Sequence, residues 1–319
     1  MSRLVALILG IFLCVASWSP SAAENNIKLG MAAFNSSFID HMVAIQKGFY
    51  ADEGLKIEII RGGGGVLTPA LISGDLAFSA SASSAMTAIL KGADLRVIYT
   101  NLSKPTYRLW SNDPKIKTLR DLMGKRVGVN SRGDTAYLSM LFLMRKHGLD
   151  PGQIKFVPLK RSKNRVAAFK SGAVDATFLT PVDEARIDQT KGHRIAVVAD
   201  EIQLVWTGVA TSTKMLKENS DLVRSFLRGA VRGREFTKTH KEETLDILAK
   251  YIKATRATRE AMTLDYNSVL EAMTADGTVS QEIRDQEIAA RAELLKLANP
   301  PKSSNVFDYS ITESIYSKR

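Results

Sequence analysis

Polar and glycine-rich stretches that directly follow strand-like runs are the residues best suited to chemistry. Four consecutive glycines, Gly62–Gly65, follow the alternating run Leu55–Ile60, and a serine cluster follows Leu76–Ala80. Glycine lets a backbone approach a ligand closely, and the first turn of a helix offers unpaired N–H groups. Two such loops at neighbouring strand ends predict a rim for a small-molecule ligand. The alternative is a flexible surface loop followed by a serine helix cap.

The first 23 residues have the pattern of a secretory signal peptide. Arg3 is the only charge before the apolar run Leu4–Val15, and the small residues Ser21-Ala22-Ala23 follow. The apolar run is too short to span a bilayer, and the small residues fit a cleavage site. We therefore predict export, cleavage after Ala23 and a periplasmic location. An uncleaved anchor is the alternative.

Composition argues against thiol, metal and nucleic-acid chemistry. The only cysteine, Cys14, lies in the segment that we expect to be removed, so we exclude a catalytic thiol or thiolate metal site. The four histidines are scattered, and no two have the i, i+4 spacing of a zinc site. The formal net charge of +11 comes from basic residues interleaved with acids, which is typical of solvated helix faces. An exported chain also rarely meets nucleic acid.

Strand-like and helix-like segments alternate along two series, which predicts an α/β fold. The first series runs from Ile27–Ala33 to Leu95–Asn101, and the second from Arg126–Asn130 to Arg194–Ala199. Short connections favour mostly parallel sheets with helices on both faces. From Lys214 onward the pattern is helical. Ligands of such sheets bind beyond the carboxyl ends of the strands, where three polar loops lie: Phe34–Ser37, Gly62–Gly65 and Ser81–Ser84.

The chain is predicted to build one kind of lobe twice. Ala70–Phe78 and Ala168–Phe178 share a helix that ends at Ser-Gly, then an Asp, then a buried strand. Two strand-like crossings, Ser103–Trp110 and Glu201–Thr211, separate the series and predict a two-strand hinge below a ligand cleft. The predicted boundaries are residues 24–105 and 207–319 for lobe I and residues 106–206 for the inserted lobe II.

Several motifs resemble one family of transport proteins. They are QKGFYADEGL (Gln46–Leu55), KGADLRV (Lys91–Val97), TLRDLMGKRVGV (Thr118–Val129), GLDP (Gly148–Pro151) and the Ser171–Phe178 repeat. On these motifs the chain resembles ABC-transporter solute-binding proteins of the nitrate/sulfonate/taurine type, whose domain is shared with thiamine-pyrimidine synthesis proteins. The resemblance implies a two-lobed type II periplasmic-binding-protein fold and an inner-membrane ABC permease as partner. It further implies a monomer with a small-molecule solute and with no cofactor, bound metal or catalytic residue.

The resemblance also implies where the solute binds, because the family holds it between the lobes. From lobe I we expect contacts from Phe34, Asn35, Ser36, Gly63, Gly64, Ser81, Ser83 and Ser84. From lobe II we expect Ser131, Arg132, Gly133, Asp134, Thr135, Thr180 and Asp183, with Trp206 of the second crossing on the cleft wall. The alternative for each loop residue is a helix cap or a turn, and for Trp206 a place in the core.

One loop departs from the sulfonate-type pattern. Sulfonate-type relatives present small hydroxyl residues and glycine to an anion where this chain has Arg132-Gly133-Asp134-Thr135. The Asp134 carboxylate is able to cap its own helix, alone or in a capping box with Ser131, and it would repel an anion. Arg132 would instead pair with an anion if it pointed into the cleft. Sulfonate-like, neutral, zwitterionic and amine-bearing ligands therefore all stay open.

Three functions are compatible with these patterns. The first is a periplasmic receptor that delivers a nitrate-, sulfonate- or taurine-like solute, or another small organic compound, to a permease. The second is an enzyme like those of thiamine-pyrimidine precursor synthesis, or a binding protein for a thiamine precursor. An enzyme would need an acid–base pair, and the candidates Asp134, Asp183 and His41 are not paired by sequence spacing. The third is a receptor that reports to a sensor.

Overall fold

The computed structural model describes residues 25–252 and 258–317, so the predicted signal peptide lies outside the described residues. No helix among them is long and apolar enough to cross a membrane. The described residues form ten strands: β1 Asn25–Met31, β2 Leu55–Arg61, β3 Phe78–Ser79, β4 Leu95–Leu102, β5 Arg108–Ser111, β6 Arg126–Val129, β7 Lys155–Pro158, β8 Ala176–Leu179, β9 His193–Val197 and β10 Thr207–Ser212.

Thirteen α-helices accompany these strands within the same residues. They are α1 Ile39–Gln46, α2 Gly64–Ser73, α3 Ala82–Leu90, α4 Thr135–Lys146, α5 Ser162–Lys170, α6 Pro181–Glu184, α7 Val198–Glu201, α8 Thr213–Glu218, α9 Ser220–Thr239, α10 Lys241–Ile252, α11 Arg259–Ala272, α12 Gln281–Leu294 and α13 Ser310–Tyr316. The helical C-terminal part that the sequence predicts is therefore confirmed.

The strands form two five-stranded sheets with the same topology. The first sheet has the order β2-β1-β3-β10-β4 and the second the order β7-β6-β8-β5-β9. In each sheet four strands run parallel. The fifth strand, β10 in the first sheet and β5 in the second, is antiparallel to both of its neighbours. The predicted pair of mostly parallel α/β lobes is confirmed.

The internal repeat in the sequence corresponds to matching turns in the two lobes. Helix α2 ends before Gly74, which has φ 87°, and β3 follows. Helix α5 ends before Gly172, which has φ 70°, and β8 follows. Both glycines occupy the left-handed region that side chains other than glycine rarely adopt. A glycine after each helix thus directs the chain back into the sheet.

Two adjacent chain segments connect the sheets. The Leu204 N–H donates to the Ser103 carbonyl at 2.9 Å, and the Trp206 N–H donates to the Leu102 carbonyl at 3.0 Å. Further along, the Val198 N–H donates to the Tyr107 carbonyl at 2.9 Å. The predicted two-strand connection is confirmed, while the exact residue boundaries of the lobes stay a prediction.

The C-terminal tail packs back against the first sheet. The Val97 N–H donates to the Val306 carbonyl at 2.9 Å, and the Asp308 N–H donates to the Val97 carbonyl at 2.9 Å. The hydroxyls of Thr100 and Tyr309 are hydrogen-bonded at 2.6 Å. This arrangement places Tyr309 in the core of lobe I.

Two helices end earlier than their sequence pattern predicts. The pattern over Phe38–Asp52 predicts one helix, but α1 ends at Gln46, because Gly48 adopts a left-handed conformation with φ 74°. The pattern over Pro181–Lys191 also predicts one helix, but α6 ends at Glu184, and Asp188 caps a separate turn by accepting the Thr190 N–H. Local glycine and Asx-turn geometry overrides the apolar periodicity at both places.

Candidate ligand-binding cleft

The loop after β1 is tied to both the hinge and the C-terminal helices. Asn35 Oδ1 accepts the Ser37 N–H at 3.1 Å and so begins a single turn of 3-10 helix. Ser36 Oγ donates to Asp265 Oδ2 on α11 at 2.5 Å. Ser37 Oγ accepts a hydrogen bond from Trp206 Nε1 at 3.1 Å. The predicted ligand loop thus contacts a hinge residue and a residue more than two hundred positions away.

The glycine loop lies directly against the serine loop, as the sequence suggests. A Cβ added to Gly64 would lie 2.4 Å from Ser84 Oγ, so only glycine fits there without a shift. Gly63 precedes α2 in an extended conformation and has no side chain to cap the helix. Ser81 Oγ is buried without a hydrogen-bond partner among the described residues. The helix N-termini of α2 and α3 therefore lie next to each other.

Two further residues expected to contact ligand have neighbours of their own. Ser83 Oγ accepts from Arg291 Nη2 at 2.8 Å, and the Ser83 carbonyl accepts from Nη1 at 2.9 Å, so this serine faces α12. The structure does not bring Ser83 together with the other predicted site residues. The Phe34 ring lies 4.6 Å from the Arg61 guanidinium and 5.1 Å from the Tyr251 ring. Phe34 thus stands beside a cation at the end of β2.

The loop after β6 is organised by Asp134, which caps α4. Its Oδ1 accepts the Tyr137 N–H at 2.9 Å and its Oδ2 accepts the Asn130 N–H at 3.2 Å. Asp134 alone is the N-cap residue, and Ser131 contributes only a backbone carbonyl to the turn. Burial raises the pKa of Asp134, although these hydrogen bonds and Arg165 oppose the shift. The suggested capping box between Ser131 and Asp134 is therefore replaced by a single Asp cap.

The remaining residues of this loop lie around that cap. Gly133 has φ 82°, which suits glycine, and Thr135 is the first residue of α4 and is half-buried. Ser131 and Arg132 are exposed. Within the described residues, Asp134 is the one member of this loop whose side chain accepts hydrogen bonds from backbone N–H groups of the turn.

The loop after β8 begins with a capping box. Thr180 Oγ1 accepts the Asp183 N–H at 3.3 Å, and Asp183 Oδ2 accepts the Thr180 N–H at 3.5 Å. Asp183 is buried and also accepts from Ser162 Oγ at 2.6 Å and from Arg186 Nη1 at 3.1 Å. Thr180 and Asp183 therefore have the capping role that the sequence offered as the alternative to ligand contact.

Arg165 connects the two lobe II loops to the hinge, and the sequence analysis did not identify it. The residue is 1% exposed. Its Nε donates to the Phe178 carbonyl at 3.0 Å, Nη1 donates to Asn130 Oδ1, and Nη2 lies 3.9 Å from Asp183 Oδ2. The guanidinium also lies 5.3 Å from the Tyr107 ring centroid. Because Arg165 is one of several basic residues around a short helix, no local signal distinguishes it.

The loop after β1, the two connecting segments and α11 meet at what we call the interlobe seam: Ser36, Ser37, Tyr107, Trp206 and Asp265. The rings of Tyr107 and Trp206 pack edge to face with centroids 4.4 Å apart. Arg108, which follows Tyr107, donates from Nη2 to Ser268 Oγ on α11 at 3.0 Å. Helix α11 in turn packs on α6, and one apolar cluster continues from α1 and α11 into lobe II. Trp206 is 8% exposed and thus belongs largely to this packing.

Carboxylates of α6 and α11 lie beside the seam, and arginines pair with the two on α6. Trp110 Nε1 donates to Glu184 Oε1 at 2.5 Å, and Arg108 Nε lies 3.5 Å from Glu184 Oε2. Burial raises the pKa of Glu184 even so. Burial raises the pKa of Asp265 to about 7, with Asp183 and Glu184 adding to the shift and with Ser36 and Arg108 opposing it.

His41 lies away from the seam. The side chain is 2% exposed, its Nδ1 is 2.7 Å from the Tyr50 hydroxyl, and its ring centroid is 5.9 Å from that of Phe226. It therefore packs in the core of lobe I between α1 and α9. Among residues 25–252 and 258–317, no group of three His, Cys, Asp or Glu side chains is arranged to hold a metal ion.

Comparison with known proteins matches this chain to one family and one fold. The family model described as NMT1/THI5 like matches residues 35–244. The riboflavin-binding protein RibY of Chloroflexus aurantiacus is 23% identical over 225 residues, which are 68% of this chain and 64% of RibY. The chain thus covers less than two thirds of that relative's length.

Solved structures with the same fold include binding proteins and an enzyme. The aliphatic sulphonate binding protein SsuA of Escherichia coli superposes with a TM-score of 0.70 at 18% identity, covering 89% of this chain and 92% of SsuA. The desulfurization enzyme DSZB superposes with a TM-score of 0.62 at 12% identity, covering 92% of this chain and 100% of DSZB. The fold is that of the periplasmic binding proteins. Because the family model spans more than half of the sequence, the chain belongs to the NMT1/THI5-like family.

Proposed function

We propose that the protein is the periplasmic solute-binding component of an ABC-type importer. It captures a small solute between lobe I, residues 24–105 and 207–319, and lobe II, residues 106–206. The observation that carries the proposal is the interlobe seam, where the loop at the carboxyl end of β1 contacts the paired connection and α11, which packs on α6 of lobe II. Parallel α/β sheets bind ligands at this end of their strands.

The two connecting segments supply the conformational change. Only three backbone hydrogen bonds described above join them, so small rotations at Ser103–Tyr107 and at residues 202–206 separate the lobes. Closure then brings the loops after β1 and β3 against those after β6 and β8, with the solute between them. A permease that recognises the closed form would take up solute only from loaded protein.

The capped helix α4 bears on the type of solute. A sulfonate bound at the N-terminus of this helix would accept hydrogen bonds from the N–H groups of its first turn, so those groups would have to lack other acceptors. The Asp134 carboxyl occupies one of them by accepting the Tyr137 N–H, and it also accepts the Asn130 N–H. Its negative charge would repel an anion at the remaining N–H groups of the first turn. SsuA binds sulphonates and RibY is named for riboflavin, so relatives with this fold differ in ligand charge. We propose a small organic solute whose contact with α4 is not an anionic one.

A thermal-shift screen of the mature chain, beginning at Glu24, tests the receptor function. A solute at one hundred times its Kd adds about 2.7 kcal/mol to the free energy of unfolding. Closure should also change the tryptophan fluorescence, and the change should be smaller in Trp206→Phe, which removes the seam tryptophan, than in Trp110→Phe. The receptor function fails if neither a broad solute panel nor native mass spectrometry of the purified protein reveals a bound small molecule.

A thiamine-precursor protein is the second candidate, and the family match favours it, because the family description includes THI5. The candidate acids of such an enzyme, Asp134 and Asp183, are both engaged as helix caps. Incubation with pyrimidine precursors followed by product analysis separates the candidates. A new product would indicate an enzyme, whereas unchanged precursor retained by the protein would indicate a precursor-binding receptor.

A further inference from the structure

Asp265 occupies the position at which the two lobes meet. It lies on α11, and its Oδ2 accepts from Ser36 Oγ at the exit of β1. Helix α11 also packs on α6, which begins at the exit of β8. Asp265 therefore stands between the strand ends of both sheets, although it comes from neither sheet.

The other oxygen of this carboxyl has no partner. Asp265 is 3% exposed, and no donor from the described residues reaches its Oδ1. A buried acceptor without a hydrogen bond is uncommon in native proteins and marks either a cost in stability or a site for a further group. Asp183 and Glu184, the neighbouring acids on α6, differ in this respect because each has at least one arginine partner.

The electrostatic surroundings restrict what that further group is. Asp265 faces Ser36 from the β1 exit, Asp183 and Glu184 from α6, and Arg108 from β5. An anion placed beside Oδ1 would meet the Asp265 carboxyl itself with Arg108 as the arginine that acts on it, whereas Arg165, Arg186 and Arg194 pair with Asp183 and Glu184. An N–H or ammonium group would provide the missing hydrogen bond and would also reduce the repulsion among the acids.

We propose that Asp265 Oδ1 accepts a hydrogen bond from a nitrogen donor of the solute, so that the solute is a neutral, zwitterionic or cationic N–H compound rather than a simple anion. This assignment rests on the receptor function proposed above and names the class of ligand for the same cleft. Ser36 then acts as a positioning residue that orients the carboxyl through Oδ2.

Matched probe pairs test the assignment. Taurine and ethanesulfonate differ only in the ammonium group, and 4-amino-2-methylpyrimidine and 2-methylpyrimidine differ only in the amino group. Riboflavin serves as a larger N–H compound. Affinities are measured calorimetrically for wild type, for Asp265→Asn and for the control Asp246→Asn, whose carboxylate is exposed on α10 and paired with Arg259. Asp265→Asn removes a hydrogen bond to a charged acceptor, so it should weaken binding of the N–H compounds at least about tenfold.

A second measurement uses the wild type and does not depend on a variant that folds. Because the pKa of Asp265 is about 7, close to half of the protein carries a proton there at pH 7. A cationic donor that binds at Oδ1 favours the carboxylate and releases that proton. Calorimetry in buffers of different ionisation enthalpy should therefore detect a release approaching half a proton per bound taurine. A purely structural Asp265 would release none.

The outcomes separate this assignment from the receptor function. The assignment is supported if the N–H compound of each pair binds more tightly than its partner compound, and if its binding is weakened in Asp265→Asn but not in Asp246→Asn. Tighter binding of ethanesulfonate than of taurine overturns it, as does an N–H probe that binds Asp265→Asn as tightly as wild type. Failure of all five probes also overturns the proposed ligand class. In each of these cases the receptor function stands or falls separately, on the broad panel and the native mass spectra.

Discussion

Replacing Asp265 with Asn should change the pH dependence of stability. In the folded protein burial raises the pKa of Asp265 to about 7 from an ordinary 3.8. Between these values the folded state holds a proton that the unfolded state loses, so the wild-type free energy of unfolding falls as pH rises. Each pH unit is worth about 1.4 kcal/mol, which gives a loss of roughly 4 kcal/mol between pH 4 and pH 7. Asn has no proton to lose, and its amide oxygen still accepts from Ser36.

The two proteins should therefore be nearly equally stable at pH 4 and should differ most at pH 8. There Asp265→Asn should be more stable by up to about 4 kcal/mol, with any opening of the seam that hydrates the carboxylate reducing the difference. Urea unfolding at pH 4, 6 and 8 measures it, because the other titrating groups are common to both proteins and cancel. The exposed Asp246→Asn should show no such trend. A difference between Asp265→Asn and wild type that is constant over this range would refute the buried, protonated state.

Three further predictions concern the loops and their supports. Gly64→Ala should lower the free energy of unfolding by about 1–3 kcal/mol, because its Cβ would lie 2.4 Å from Ser84 Oγ. The control Gly65→Ala has open space around its Cβ, so its free energy of unfolding should be unchanged or higher by up to about 1 kcal/mol. Equal urea midpoints for the two variants would contradict the packing of the glycine loop on the serine loop. Arg165→Met should cost about 3–5 kcal/mol by removing the buried donor of Asn130 Oδ1 and one of the two arginines beside Asp183, while the exposed Arg161→Met should stay within about 0.5 kcal/mol of wild type. A small effect at Arg165 in chemical denaturation would show that it does not support the lobe II loops. Asp175→Asn should lower the urea midpoint more at pH 7 than at pH 2, because the hydrogen bond from Arg126 lowers the pKa of Asp175 and its stabilising effect declines as pH falls toward and through that lowered value. Equal losses at both pH values would indicate a packing effect instead.

The order of elements and the position of the polar loops follow from local sequence. The repeat at Ala70–Phe78 and Ala168–Phe178 requires only apolar periodicity and a glycine after the helix, both of which neighbouring residues determine. The two crossings are recognisable because each lacks an accompanying helix of the series. Asn35, Asp134 and Thr180 are likewise local, since each side chain bonds to a backbone N–H within three residues of its own position.

Helix ends and the roles of individual serines are less well determined by local sequence. Ser83 and Ser84 are adjacent in a serine-rich stretch, yet one accepts from Arg291 on α12 and the other lies against Gly64. Only the direction in which each residue projects from α3 separates them. That direction matters because α12, which is distant in sequence, packs on one face of α3.

Periodicity and turn residues act over a few positions, so local sequence is enough to predict the α/β class, the doubled lobe, the paired connection and the polar loops at the strand ends. Packing between distant segments brings Arg165, Tyr107 and Asp265 to those loops. Ser36 and Asp265 are 229 positions apart, and nothing around Asp265 in α11 marks it as different from an exposed helical acid. Its burial, its unpaired oxygen and its raised pKa arise only when α11 packs across the seam onto α6, since desolvation and neighbouring charge depend on distance in space and not on position along the chain.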